Sequence, residues 1–237
     1  MSSAAAAKAA LDFESWRIEL GGVLLLADMA GVLVIEDSDV LVVSDLHLEK
    51  GSARAHRGAF LPPYDSRTTL ARLARAITRL RPRAVIALGD SFHDVRGGER
   101  LCAEDRAALS ELQRGRDWLW ISGNHDPELP AGLEGDSADE WSHGGLTFRH
   151  EPAVGAAHEI AGHLHPCARV SREGHIQRRP CFAFGGGRLL LPAFGAYTGG
   201  LNVLDPAVSG LFASDLTVAV IGRNGVYPVA ARQLRAD

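Results

Sequence analysis

Four short apolar segments of this sequence are each followed at once by histidine, aspartate or asparagine. The segment VLVVS leads into Asp45-Leu46-His47, AVIAL into Gly89-Asp90, WLWIS into Gly123-Asn124-His125-Asp126, and HEIA into Gly162-His163-Leu164-His165. Short, continuous apolar runs are typical of strands that are buried on both faces of a sheet. In open α/β sheets the loops after the carboxyl ends of the strands converge and form the ligand site. The pattern therefore predicts that the four polar segments meet in one place.

Segments with helical periodicity separate the first three of these strands. Apolar residues recur at helical spacing from Asp65 to Leu80, where Asp65 or Ser66 could cap the start of a helix. A second helix is predicted from Ala103 to Arg114. Alternating strands and helices predict parallel strands that are joined by crossovers.

The two ends of the sequence predict further strands in the same domain. Apolar runs separated by glycines predict a strand meander from Trp16 to Ile35, and several short strands after Gly135 predict a second sheet. The 237 residues, with 46% hydrophobic side chains, can bury one full core. We therefore expect a flexible tail at residues 1–10 and a single domain at residues 11–237.

Charge and cysteine usage limit the partners and the compartment. The net charge of −4 gives no bulk attraction to nucleic acid or to an anionic membrane. The three cysteines are widely spaced and lack a CxxC pair, which fits a reducing cytoplasm without a disulfide framework. The apolar stretch at residues 18–35 is interrupted by Glu19 and Asp28, so it predicts strands of a hairpin and no membrane span.

The polar side chains after the four strands suit hard-to-borderline divalent cations. They supply carboxylate, imidazole and amide oxygen, without thiolates. Positions i and i+2 of an extended segment point the same way, so Asp45 with His47, and His163 with His165, could each chelate as a pair. The residues themselves therefore predict a site for two divalent metal ions.

The order D-x-H, G-D, G-N-H-D, H, G-H-x-H resembles the signature of the calcineurin-like metallophosphoesterases, and it runs from Asp45 to His165. The flanking segments SDLHLEKG, FLPPYD, LGDSFHD, SGNHD, FRHEP, IAGHLHP and LLPAFGAYTGGL are similar, within that family, to the ligase-associated DNA-damage-response endonucleases. The resemblance implies an α/β fold, a four-layer α/β/β/α sandwich of two mixed β-sheets flanked by helices.

The resemblance also implies a set of metal ligands and a reaction. It assigns the first metal to Asp45, His47 and His165, the second to Asn124, His150 and His163, and a bridging role to Asp90. His150 ends an apolar run and is preferred to its competitor His143. Two divalent ions are implied, most typically Mn²⁺ with Fe or Zn as alternatives, and the implied reaction is phosphodiester hydrolysis.

Two residues beside the ligand Asn124 are the candidate catalytic groups. The resemblance implies that His125 stabilises the transition state or protonates the leaving oxygen. It also implies that Asp126 orients His125 and raises its basicity.

Substrate contacts are expected from Lys50, Arg54, Arg57 and His93. The three basic residues follow the first metal ligands directly, where they could hold a nucleic-acid backbone or form an ordinary solvated loop. Tyr197 also has two interpretations. It could stack on a base of the substrate, or it could be an ordinary packed or exposed tyrosine.

The resemblance implies DNA as the substrate, single-stranded or locally unpaired, and a functional association with a DNA ligase and a helicase. The alternative is a small-molecule phosphoesterase that acts on nucleotides, cyclic nucleotides or phosphomonoesters. A non-catalytic binding scaffold is the third reading, and it is disfavoured because every expected ligand is present. The oligomeric state stays open, with a homodimer as one alternative.

Overall fold

The computed structural model describes residues 14–59, 62–172, 174–212 and 215–237. The tail that the sequence predicts at residues 1–10 lies outside these ranges. Among the described residues, no helix combines the length and the apolar character that crossing a bilayer would require.

The first sheet has seven strands that lie side by side in chain order. They are β1 (Ser15–Leu20), β2 (Val23–Asp28), β3 (Leu33–Ile35), β4 (Val40–Val43), β5 (Ala84–Leu88), β6 (Asp117–Ile121) and β7 (Asp136–Ala138). Strands β1 to β4 pair antiparallel, and β4 to β7 pair parallel. The predicted meander and the predicted parallel strands are therefore parts of one mixed sheet.

Helices connect the parallel strands of this sheet. They are α1 (Lys50–His56), α2 (Asp65–Leu80), α3 (Gly97–Arg100) and α4 (Ala103–Gln113). Leu73 of α2 and Leu109 of α4 are fully buried against Leu41 and Val85 of the sheet. The apolar residues that recur at helical spacing in the sequence thus pack the helices against the sheet.

The second sheet is built from the rest of the chain. Its strands are β8 (Glu140–His143), β9 (Leu146–Arg149), β10 (Glu159–Ala161), β11 (Cys167–Arg172), β12 (His175–Gly185), β13 (Arg188–Leu190), β14 (Thr217–Ile221) and β15 (Val226–Ala230). The order is β15-β14-β12-β13-β10-β9-β8, and β11 pairs with β12 as a hairpin. The pairs β9–β10 and β10–β13 are parallel and the other pairs among the described strands are antiparallel, so this sheet is also mixed.

The two sheets pack face to face over a shared core. Leu25 and Ile35 of the first sheet belong to the same buried cluster as Phe148, Phe182 and Ala219 of the second. A separate cluster covers the outer face of the second sheet and includes Val208 of the short helix α5 (Pro206–Ser209) and Phe212. The layers run helix, sheet, sheet, helix, which confirms the expected four-layer sandwich.

The expected cap of α2 is wrong. The residue before the helix is Tyr64, and no side chain caps it. Asp65 instead accepts a hydrogen bond from the backbone N–H of Gly51 at 2.8 Å, and Ser66 bonds to both the backbone and the carboxylate of Glu49. These two side chains tie α2 to α1, because a tertiary partner competes successfully for the same donor and acceptor atoms.

Candidate metal centre

The expected ligands lie where the edges of the two sheets meet. Asp45 and His47 follow β4, Asp90 follows β5, and Asn124 follows β6, whereas His150 follows β9 and the two histidines of G-H-L-H follow β10. One hydrogen bond crosses between the sheets directly, from the backbone N–H of His163 to Oδ2 of Asp45 at 3.1 Å. The junction of the two sheets therefore positions the whole site.

A first group of donors is formed by Asp45, His47 and His165. Nε2 of His165 lies 3.0 Å from Oδ1 of Asp45 and 3.3 Å from Nε2 of His47. Among the described residues, the buried Oδ1 of Asp45 has no hydrogen-bond partner of acceptable geometry, although the nitrogen of His165 lies so near. Three potential ligand atoms that converge in this way could hold a common cation.

A second group is formed by Asn124, His150 and His163. Oδ1 of Asn124 lies 3.0 Å from Nε2 of His150 and 3.0 Å from Nδ1 of His163. The two imidazole nitrogens are 3.3 Å apart. His143, the competing candidate, lies elsewhere, stacked on Trp141 with its Nε2 3.7 Å from Asp37.

Asp90 lies between the two groups. Its Oδ1 is 3.3 Å from Nε2 of His150, and its Oδ2 is 3.8 Å from Nε2 of His47. One carboxylate oxygen thus faces each group. Carboxylate, imidazole and amide donors in this arrangement fit a pair of hard-to-borderline divalent cations.

Strained backbone accompanies the ligands. Asp45, His47, Asp90, His163 and His165 all have φ between 42° and 66°. This left-handed region costs non-glycine residues about 1–3 kcal/mol each and is retained where the surroundings over-determine it. The fold thus holds five of the seven expected ligands in conformations that a relaxed chain would avoid.

The electrostatics of the site favour bound positive charge. Burial opposes ionisation of Asp90, but its hydrogen bond to His150 and the charge there outweigh burial and lower the Asp90 pKa to about 2. Burial likewise opposes the charge on His150, yet Asp90 and Asp45 raise the pKa of His150 to about 9. Burial dominates at His47 and lowers its pKa to about 3. Two buried carboxylates therefore attract a cation into the centre.

His125 is oriented by a different partner from the one expected. Its Nδ1 lies 2.8 Å from the carbonyl oxygen of His93, and its backbone N–H donates to Oδ1 of Asp90 at 3.0 Å. Asp126 accepts the backbone N–H of Phe92 through its Oδ2 at 2.9 Å. Among the described residues no hydrogen bond joins Asp126 to the ring of His125, so the orienting role expected of Asp126 stays a prediction.

Asp126 nevertheless stays close to the centre. Burial and the neighbouring charge of Asp90 raise its pKa to about 7. Its bond to Phe92 fixes the backbone segment that follows Asp90. Asp126 thus supports the loop that carries a ligand.

The expected substrate-contacting residues border a cleft beside the metal centre. Arg54 and Arg57 line it together with Asn124, His125 and His93, and its volume is about 540 Å³. The segment is the helix α1 and not a loop. Both arginines are exposed, and within the described ranges no carboxylate pairs with either.

Lys50 and His93 lie deeper than the arginines. Lys50 is buried, and this burial, followed by the charge of Arg54, lowers its pKa. Burial, followed by the charge of Lys50, lowers the pKa of His93 to about 4. The rings of His93 and His125 stack with centroids 5.4 Å apart.

Two supporting residues carry no clear signal in the sequence. Ser44 donates to Oδ2 of Asp45 at 2.6 Å, and Glu49 accepts hydroxyl bonds from Ser52 and Ser66 at 2.6 and 2.7 Å. A serine at a strand end and a glutamate after D-x-H-x are too common to single out. Only the tertiary contacts identify them.

Two of three comparisons with known proteins find similarity to this chain. A family model for calcineurin-like phosphoesterases matches residues 38–186, more than half of the chain. The crystal structure of the nuclease MPE from Pseudomonas putida is similar with a TM-score of 0.71 and 27% identity, covering 91% of this chain and all of that one. Comparison with curated protein sequences gives no significant match.

YfcE, a phosphoesterase from E. coli, is a more distant structural neighbour. It has a TM-score of 0.41 and 16% identity, and the match covers 81% of this chain and 98% of that one. The matched family segment at residues 38–186 contains all seven expected ligands. The chain belongs to the calcineurin-like phosphoesterase family and is a metal-dependent phosphoesterase.

Proposed function

We propose that this chain is an endonuclease that hydrolyses phosphodiester bonds of single-stranded or locally unpaired DNA. The observation that carries the proposal is the pair of exposed arginines, Arg54 and Arg57, in the cleft that begins at Asn124 and His125. A cleft that continues from the metal centre with unpaired positive charge suits a substrate with several phosphates. The nuclease activity named for the similar Pseudomonas putida protein supports the same conclusion.

In this proposal Asp45, His47 and His165 hold one divalent ion, Asn124, His150 and His163 hold a second, and Asp90 contacts both. When bound, the two ions activate water and neutralise charge on the phosphoryl oxygens. His125 is 40% exposed at its side chain and faces the cleft, so it can reach a substrate oxygen. The carbonyl of His93 fixes the tautomer of His125 with the proton on Nδ1, which leaves Nε2 to contact substrate.

Lys50, Arg54 and Arg57 hold the phosphates of the strand in this proposal. Lys50 and Arg54 lie on the short helix α1, which begins three residues after His47, and Arg57 directly follows this helix. Because phosphate contacts position a strand without reading its sequence, we expect weak sequence preference. His93 contributes its carbonyl to His125 and its ring to the floor of the cleft.

The test is cleavage by the metal-reconstituted protein. Single-stranded DNA, duplex DNA, bis-p-nitrophenyl phosphate and p-nitrophenyl phosphate are compared, with Asp90→Ala protein as the control for contaminating nuclease. We expect hydrolysis of the single strand and of the diester well above hydrolysis of the monoester. Turnover of the monoester alone would instead establish the small-molecule phosphoesterase.

The salt dependence of DNA binding tests the arginines. Each phosphate contact on a single strand contributes about 0.7 to the slope of log affinity against log salt. Arg54→Ala/Arg57→Ala protein should bind DNA more weakly and with a shallower slope. Arg83→Ala is the matched control, because Arg83 is exposed just before β5, at the sheet edge opposite the ligands. Equal slopes for the two variants would remove Arg54 and Arg57 from the proposal.

Manganese as the native metal, action in the DNA damage response, and association with a DNA ligase and a helicase belong to the same proposal. So do a cytoplasmic location and a single domain over residues 11–237. The resemblance of the ligand-bearing segments supports them. Metal analysis of protein purified without added metal tests the first, and co-purification with ligase and helicase tests the association.

A further inference from the structure

We propose that the ring of Tyr197 is a stacking surface for a nucleobase beside Asp45 and His165. The inference rests on the proposed function and deepens it by adding an unpaired base to the features that the protein binds. It concerns the side of the metal centre formed by the first group of donors, whereas Arg54 and Arg57 border the side formed by Asn124 and His125.

The loop that carries Tyr197 is fixed to the metal centre at both ends. At its start, the backbone N–H of Gly195 donates to the carbonyl of Asp45 at 3.0 Å. At its end, Gly200 packs so closely on His165 that an added Cβ would lie 2.1 Å from the carbonyl oxygen of that residue. Since two residues span at most about 7 Å, Tyr197 stands next to the backbone of the first group.

Further contacts make this loop rigid. The backbone N–H of Ala196 donates to the hydroxyl of Thr69 in α2 at 2.9 Å, and the hydroxyl of Thr198 donates to the carbonyl of Gly195 at 2.7 Å. Arg72 of α2 donates to the carbonyl of Phe194 at 2.8 Å and lies over the ring of that residue. The residues on both sides of Tyr197 are therefore held in place.

Tyr197 itself is presented to solvent by this rigid frame. It is 46% exposed and has φ 59°, a left-handed conformation that tyrosine rarely adopts. Among the contacts of the described residues, its ring stacks on no other ring and its hydroxyl has no hydrogen-bond partner. An exposed aromatic ring on a fixed backbone can stack on a base with little loss of conformational entropy.

Positive charge adjoins the same loop. Arg178 of β12 is exposed and donates to the carbonyl of Gly200. In the described part of the chain, no carboxylate is paired with Arg178. A guanidinium at the end of a loop that carries an exposed aromatic ring fits a nucleotide, which offers a phosphate and a base together.

The experiment compares three p-nitrophenyl phosphodiesters that share one leaving group. They are methyl p-nitrophenyl phosphate, thymidine 5′-(p-nitrophenyl phosphate) and thymidine 3′-(p-nitrophenyl phosphate), so the base is absent or lies on either side of the phosphate. The readout is the ratio of kcat/KM on each thymidine ester to kcat/KM on the methyl ester. The proteins are wild type, Tyr197→Ala, Tyr197→Phe and the control Arg83→Ala, each checked for its melting temperature.

We expect wild type to prefer at least one thymidine ester, and Tyr197→Ala to lose about tenfold in that ratio. Tyr197→Phe, which keeps the ring, and Arg83→Ala should retain the preference. A wild-type protein that hydrolyses all three esters equally, or a preference that survives in Tyr197→Ala, overturns the inference and leaves the proposed function intact. Failure of the metal-loaded wild type on all three esters overturns the proposed function itself.

Discussion

At the scale of single residues, the ligand atoms approach so closely that some positions allow no side chain at all. A Cβ added to Gly123 would lie 2.2 Å from the backbone nitrogen of Asp90 and 2.4 Å from its Oδ1. Such an atom cannot be accommodated unless the Asp90 loop shifts, and overpacking of this kind costs about 1–3 kcal/mol. Gly123 therefore leaves free the space that Asp90 occupies, although Asp90 follows a different strand.

We expect Gly123→Ala to lower the free energy of unfolding and to reduce the bound metal together with the activity. Urea denaturation and elemental analysis of the same preparations measure the two effects. Gly199→Ala is the matched control, because nothing lies within 4 Å of a Cβ added there. Full metal content in Gly123→Ala would mean that the Asp90 loop adjusts without loss.

The residue types in the sequence indicated the candidate metal ligands better than they indicated the hydrogen-bond partners of neighbouring side chains. Asp45 and Asp90 were predicted as donors because they are carboxylates that follow apolar runs, whereas His150 came from the resemblance. The partner of His125 could not be predicted, since it is the backbone carbonyl of His93, and every residue has a carbonyl. Asp126 was the candidate by residue type, and its carboxylate instead accepts the backbone N–H of Phe92.

At the scale of elements, helix α1 is held by its neighbours and not by its own sequence. Its seven residues lack an apolar stripe, so no periodicity predicts it, and an isolated helix of this length would not be stable. Glu49 at its start accepts hydrogen bonds from Ser52 in α1 and Ser66 in α2, and Arg100 donates to the same Ser52 at 3.0 Å. Strands β7 and β8 were missed for a related reason, because both are short and mostly polar or exposed.

We expect Glu49→Ala to loosen α1 and thus the arginines that α1 presents. Removing the buried carboxylate leaves the Ser66 hydroxyl without its acceptor, which costs about 1–3 kcal/mol, whereas the Ser52 hydroxyl keeps its bond to the backbone carbonyl of residue 49. The KM for single-stranded DNA should rise more than kcat falls, because the displaced groups bind substrate and the ligands of the metals remain. Steady-state kinetics and urea denaturation, with Glu19→Ala as an exposed control on β1, measure both effects. A fall in kcat at constant KM would show that Glu49 acts through His47 instead.

At the scale of the whole molecule, the candidate metal centre joins the two sheets. Asp45, His47, Asp90 and Asn124 follow strands of the first sheet, whereas His150, His163 and His165 follow strands of the second. The sequence indicated a parallel sheet and a later group of strands, but it carried no sign of how they pack, and the sandwich came from the resemblance alone. The packing depends on contacts such as Leu25 and Ile35 with Phe182, which lie far apart in the chain.

Each group of donors includes residues from both sheets. Removal of the metal ions should therefore weaken the attachment of one sheet to the other. A ligand that binds only the folded state at one hundred times its dissociation constant contributes about 2.7 kcal/mol of stability. Chelation should therefore lower the melting temperature, and hydrogen exchange should rise at the ends of both β4 and β10. In Asp90→Ala protein, which lacks the residue between the two groups, the chelator should change the melting temperature much less. Exchange that rises beside β4 while β10 stays protected would show that the centre stabilises a single sheet, and that the apolar core alone holds the sandwich together.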